Sequence, residues 1–334
     1  RSIKAQTLVF HRRRRIARFQ GSVVARDSDG ALMAQQVVYH LDENHLSAGG
    51  GVELRYTDQG LSVEAENLTY DARNDSGLAF GHAALVRQAD ESCDKLKVHA
   101  DSLAFSERGA RVHFSGVVTF RQADISGSAM SGQFSQEEDE LRLEGSAKAD
   151  WLQNQQSVEM RADMMFVRFD SGAIREINLR NSTEISTEHL LEGRVERKSI
   201  RAGQSEVRLD GVRIMEIHAR EGVDGIFDLK GRGKVNLSGQ EISLVFKEET
   251  VDSLTLKGGG SVSYTPPGQT AESHLSGENL SIRFAGGHVQ RVVVQEQASC
   301  QHVPSGNEQE TVVLSGDRIE LDFVEGNFQK AVGT

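Results

Sequence analysis

The sequence predicts an all-β fold, a repeat body of kinked antiparallel strands, and three observations lead there. A six-residue phrase recurs: a small residue, two polar or mixed residues, an apolar residue, any residue, then another apolar one. Around each copy apolar and polar residues alternate, the period of a strand with one wet face. Glycine is abundant (33) and proline scarce (3), with glycines falling inside the alternating runs, where they mark bulges and bends.

The phrase reads Ala5 to Phe10 (apolar Leu8 and Phe10), Ala34 to Tyr39 (Val37 and Tyr39), Ala65 to Tyr70 (Leu68 and Tyr70) and Ala100 to Phe105 (Leu103 and Phe105). It returns at Gly239 (Ile242, Leu244), Gly277 (Leu280, Ile282) and Gly316 (Ile319, Leu321), with weaker copies at Gly127, Ala162 and Ala202. Starts are 27 to 40 residues apart, a mean of about 35, and fixed-period similarity of this kind decides the fold. The spread suits strands joined by elastic turns better than a rigid array of helical hairpins.

Each element follows from this grammar. Leu61, Val63 and Ala65 alternate with polar partners, and Leu68 and Tyr70 continue with the parity shifted; such a shift implies a bulge, which bends and twists the strand. Asp71 to Gly77 has turn composition, and Leu78 and Phe80 restart the alternation. Ala110 to Phe120 reads as one strand with an internal glycine. Ile242 to Phe246, a charged turn and Leu254 to Leu256 read as a hairpin, and Lys257 to Tyr264 bends and continues. A kink is expected about once per strand, at Gly21, Gly51, Gly81, Gly116, Gly145, Gly233 and Gly260. The best helical stretch, Thr187 to Glu192, is too short to count. About 20 strands are expected, two per repeat.

Composition excludes several functions. A net charge of −11 and a pI near 5.5 argue against nucleic acid as a partner, which needs a basic face. Eleven histidines stand singly, without the spacings that mark metal sites, so no metal or cofactor is expected. Two carboxylate groups, Glu137 to Glu140 and Glu248-Glu249, fall in expected turns; glycosidase chemistry needs two carboxylates across one cleft, and these read as solvated, so no enzyme is expected. Cys93 and Cys300 read as two free thiols, with a single disulfide the alternative. The run Arg12, Arg13, Arg14, Arg15 sits in an expected turn and reads either as a contact for anionic lipid phosphates or as a solvated hairpin loop. The first residue is Arg and no apolar run has the length of a membrane span, so a mature or trimmed segment is expected, its upstream signal or anchor removed.

The phrases Ala100 to Phe105 with Gly116-Val117-Val118, Ala65 to Tyr70 with Gly81-His82-Ala83, and Leu314 to Leu321 resemble the lipopolysaccharide-transport periplasmic proteins of the LptA/OstA type, including LptC and the N-terminal part of LptD. The resemblance covers most of the chain and is weakest over residues 184–202. It implies an elongated open β-jellyroll, or β-taco, whose apolar interior shields acyl chains while the sugars project outward. It also implies edge-to-edge pairing with other Lpt bridge components, or self-stacking, in the periplasm of a Gram-negative bacterium. The chain is about twice the usual length for such a jellyroll, which suggests one unit over residues 1–183 and a second over 184–334, continuous with the first. The implied trough lining is Leu8, Phe10, Val37, Tyr39, Leu68, Tyr70, Leu103, Phe105, Ile242, Leu244, Phe246, Leu280, Ile282, Phe284, Ile319, Leu321 and Phe323. Alternation alone fits equally a closed core in which these residues pack on one another; the resemblance favours the open trough. The competing function is a structural or adhesive β-solenoid without lipid cargo.

Overall fold

The structure is a computed structural model that describes residues 2–89, 94–153, 156–191, 194–211, 213–229, 233–247, 250–265, 272–285, 288–303, 311–324 and 327–334. Among them lie 21 strands and a single turn of 3-10 helix. The first strands are β1 (Ser2–Lys4), β2 (Thr7–His11), β3 (Ile16–Arg26), β4 (Gly30–His40), β5 (His45–Tyr56), β6 (Leu61–Asp71), β7 (Ser76–Arg87), β8 (Leu96–Ser106), β9 (Arg111–Gln122), β10 (Ile125–Ser135) and β11 (Glu140–Gln153). There follow β12 (Gln156–Asp170), β13 (Ala173–Leu191), β14 (Arg194–Asp210), β15 (Arg213–Leu229), β16 (Gly233–Lys247), β17 (Thr250–Thr265), β18 (Glu272–Ala285), β19 (His288–Val303), β20 (Val312–Val324) and β21 (Asn327–Gly333). The segment read as the best helical candidate is strand as far as Leu191, inside β13.

The chain divides into two compact units, Arg1–Ala149 with Met164–Ile174, and Asp150–Asp163 with Arg175–Thr334. In unit 1, β1 and β2 both pair antiparallel with β3, and each strand from β3 to β9 pairs antiparallel with the next. In unit 2 the same meander runs from β13 to β21. Short polar turns close the hairpins. The Asp27 carboxylate accepts hydrogen bonds from the Asp29 and Gly30 N–H groups at 3.1 and 3.0 Å, and the Asp71 carboxylate accepts one from the Arg73 N–H at 2.8 Å, the side-chain-to-backbone bonding that makes Asp a turn former.

The kinks explain the repeated phrase. Every second strand carries its bend as residues of positive φ, such as Gly21-Ser22 in β3, Gly81-His82 in β7 and Gly258-Gly259 in β17. The facing strand contributes one residue to the two: Gln20 pairs with Gln36 and Val23 with Ala34, leaving Gln35 opposite Gly21-Ser22. The same shift recurs at Glu66, Asp101, Met130, Gln240 and Glu278, so the bends line up across neighbouring strands. A kink in each strand was expected at a glycine; it takes a positive-φ pair only in alternate strands, because a bulge sets two residues of one strand against one of its partner. Gly233 opens β16 rather than bending it, and in β13 and β19 the bends are the non-glycine pairs Asn181-Ser182 and Glu296-Gln297.

The small residue of the phrase lies beside the bend. Ala34, Ala65, Ala100, Ala162 and Ala202 are all buried, where the two halves of the strand converge and leave little room. The fifth copy starts at Ala129, with Met130 opposite Gly145, and not at Gly127. The residue after the small one stands on the outer side over the bulge. A Cβ on Gly116 would come within 2.7 Å of Asp101 Cβ, so this φ of +88° and the lack of space both demand glycine.

Each unit thus consists of two arms meeting at its line of bends. In unit 1 the upper arm ends in the turns at 27–29 and 57–60, and the lower arm in the turns at 41–44 and 72–75 and in the 3-10 turn Glu107–Gly109.

Candidate functional site

The expected lining residues fall into three environments. In unit 2 burial decreases with distance from the bend. Ile242, Leu280 and Ile319, just past it, are 0–1% exposed; Leu244, Ile282 and Leu321 are 3–7% exposed; Phe246, Phe284 and Phe323 are half-buried. Facing arms therefore make a groove with a dry floor and an aromatic rim. Ile200 and Phe227 of one arm and Leu244, Phe246 and Val251 of the other line a small cavity of about 40 Å³ there.

Across β8–β12 of unit 1 there is no such gradient. Leu103 and Phe105 are both buried, and with Phe114, Phe120, Phe134, Leu141, Leu143 and Met165 they close the interior as an ordinary packed core. At the β3–β6 end of the same unit a cavity of about 460 Å³ opens, with Val37, Tyr39, Leu68 and Tyr70 in its wall beside Val23, Leu32, Leu46 and Leu54. The Phe105 ring stacks on Tyr70 at 6.3 Å and meets Tyr56 edge-on at 6.4 Å, so these aromatics partition the cavity from the filled core.

Leu8 and Phe10 do not lie over the floor. They stand on β2, which among the described residues pairs with β3 alone, and are 59% and 52% exposed; an edge strand leaves them in water. Val312 and Val313 at the start of β20 are comparably exposed. Arg12 to Arg15 occupy the β2–β3 turn and are exposed, with Arg15 Nε 2.9 Å from Asp42. Cys300 is a free, half-buried thiol whose pKa burial raises; Cys93 lies outside the described residues.

Sequence reasoning missed the polar groups that join the two arms of unit 1. Arg108, at the lower rim, reaches Asp29 at 2.9 Å and Asp58 at 3.9 Å on the upper arm, and Asp75 at 3.3 Å on its own; Asp29 foremost raises its pKa. Arg87, only 15% exposed at the end of β7, pairs with Asp139 at 2.5 Å and donates to the Gly172 carbonyl at 2.9 Å. Its guanidinium lies 4.3 Å from the centre of the Phe169 ring, a cation–π contact. The Gln122 amide donates to the same carbonyl at 2.8 Å. Asp139, read as a solvated turn carboxylate, is thus a partner of a buried arginine, and the turn brings it there. Tyr56 lines the cavity and is 6% exposed, and its hydroxyl has no hydrogen-bond partner among the described residues; such a group costs about 1–3 kcal/mol. Burial raises the pKa of both Tyr56 and Tyr70, and the Tyr70 hydroxyl donates to Asp75. Among the described residues no cluster of His, Cys, Asp or Glu could hold a metal ion, and no helix is long and apolar enough to cross a membrane.

A comparison with curated proteins finds no match. The family described as LptA/(LptD N-terminal domain) LPS transport protein matches residues 2–173, a span that takes in the strands of unit 1, its cavity and its filled core. With kinked antiparallel strands throughout and that match over half its length, the chain belongs to the LptA/LptD N-terminal-domain family of LPS transport proteins.

Proposed function

We propose that this protein takes up the acyl chains of lipopolysaccharide between the arms of its kinked sheets and passes them across the periplasm of a Gram-negative bacterium toward the outer membrane. The observation that carries the reading is the alignment of the bends, which turns the apolar faces of both arms inward and leaves them incompletely filled at the unit 1 cavity and at the aromatic rim of unit 2. Transfer of hydrocarbon out of water is favourable by about 0.8 kcal/mol per methylene, so a lipid in transit gains from any such dry surface. The filled core of β8–β12 confines the uptake to those two places. The exposed apolar residues of β2 and β20 suit edge-strand pairing with other Lpt components or a second copy, since an edge presents unpaired backbone groups. Residues 184–334 read as a second unit of the same kind, because β14–β20 repeat the bend and its facing residue.

Photocrosslinking tests the reading. A benzophenone side chain at Tyr70 or Phe246 should capture lipopolysaccharide, and one at the outward-facing Phe80 (40% exposed) should not. Equal capture at all three would remove the inward-facing site. The filled core of unit 1 favours one other reading, a scaffold without lipid cargo. Filaments grown by the purified chain, with no lipid taken up, would support it.

A further inference from the structure

Two arginines tie the arms of unit 1 together, and their surroundings are opposite. Arg87 is 15% exposed against Phe134 and Phe169 of the filled core, with Asp139 as its partner. Arg108 stands at the cavity with 42% of its side chain exposed, and its partners Asp29, Asp58 and Asp75 are 41%, 53% and 38% exposed. Salt screens exposed pairs far more than buried ones, so the two ties differ in how readily they part.

The backbone that presents Arg108 is strained. Glu107, Arg108 and Gly109 have φ of +51°, +60° and +86° in succession, and of these only glycine takes that region without cost. Such strain persists where the surroundings hold it. Here the three carboxylates hold the turn through the Arg108 side chain. The turn in turn bears on the aromatic partition of the cavity. A Cβ on Gly109 would lie 3.2 Å from Tyr56 Cε2, and Asp75 takes both the Arg108 guanidinium and the Tyr70 hydroxyl. Release of Arg108 from Asp29 and Asp58 therefore frees the upper arm, the strained turn and the partition together.

We propose that Arg108 is a latch: paired, it holds the arms shut at the cavity, and released, it lets them part so that an acyl chain enters or leaves between them. Arg87 is the fixed tie at the filled end. The proposal rests on the reading that the cavity accepts hydrocarbon.

Two measurements on the full chain test it. Nitroxide labels at Thr57→Cys on the upper arm and Asn74→Cys on the lower, in a Cys93→Ser/Cys300→Ser background, report the gap. The distance between them should lengthen and broaden in Arg108→Gln, less so in Asp29→Asn, and in the unsubstituted latch at about 1 M sodium chloride, where charges are screened beyond about 3 Å. Labels at Gln88→Cys and Ser171→Cys, beside Arg87, should not move under any of these conditions, which sets parting of the latch apart from general loosening. The second measurement is capture of lipopolysaccharide by a benzophenone side chain at Leu46, in the cavity wall, flashed at intervals after mixing. Arg108→Gln should shorten the half-time of capture about three- to tenfold, what one or two exposed pairs are worth, and leave the final yield unchanged. A gap indifferent to both Arg108→Gln and salt, or capture at an unchanged rate, would overturn the latch while capture itself kept the hydrocarbon reading. Absence of capture in both chains would remove the hydrocarbon reading and the latch's role with it.

Discussion

The bends place the arms, so the sharpest test of the architecture is a side chain put on one of them. Gly81 has φ +78°, and a Cβ there would lie 2.8 Å from Glu66 Cβ and 2.7 Å from Glu66 Oε2. Gly51 has φ +82° as the second residue of the bend pair in β5, where β7 carries His82, with nothing within 4 Å of its would-be Cβ. Both alanine substitutions incur the left-handed conformation, about 1–2 kcal/mol. Only Gly81→Ala adds crowding, worth about 1–3 kcal/mol more when backbone and neighbour must shift. Thermal unfolding of the full chain should therefore show Gly81→Ala lowering Tm by about twice as much as Gly51→Ala, or more. Glu66→Gly removes the opposing Cβ, so the double variant Gly81→Ala/Glu66→Gly should be more stable than the sum of the single changes by about 1 kcal/mol or more, a coupling that a double-mutant cycle isolates. Equal losses at Gly51 and Gly81 with zero coupling would refute the crowding, and two neutral substitutions would refute the need for positive φ at the bend.

Three other outcomes are expected. Arg87→Met strips Asp139 of its partner and should cost about 2–3 kcal/mol in thermal unfolding, less than a fully buried pair would because Asp139 keeps 33% of its side chain exposed; Arg87→Met/Asp139→Asn should recover part of the loss. Leu103→Ala, at a side chain 0% exposed, should cost about 2–5 kcal/mol, whereas Leu8→Ala on the edge strand should stay within about 0.5 kcal/mol. Hydrogen bonds from Arg291 and Arg318 lower the Glu320 pKa below its ordinary 4.5. The unfolded chain then binds more protons than the folded one as pH falls below 4.5, so this contribution is present above that value and is lost as pH drops through the folded pKa. Glu320→Gln should flatten that part of the acid limb of a stability–pH curve, and an unchanged acid limb would count against the assignment.

What the sequence shows and what it hides divide along a physical line. Strand character, the bend after Ala65 and the inward set of Leu68, Leu103, Ile242 and Leu280 depend on neighbours along the chain, and period-two alternation with its parity shift exposes them. A bend made by Asn181-Ser182 or Glu296-Gln297 is harder to see, because none of these residues marks it as glycine does: Asn tolerates positive φ but is common elsewhere, and Glu296 and Gln297 take it within the register set on both sides. The degree of filling depends on which arms meet. Leu103 and Leu280 are the same letter in the same phrase and both are fully buried. Two residues further along, Phe105 is closed in by Tyr56 and Tyr70 and buried, while Tyr39, in the same place of its own phrase, is left half-buried in the cavity wall. Arg87 and Arg108 were invisible for the same reason, since each finds its carboxylate in a turn distant in sequence and near only once the sheet has bent. The bend is therefore the point at which local grammar becomes tertiary structure. A substitution that straightens it should abolish the rim pairs and the cavity together, although it touches neither.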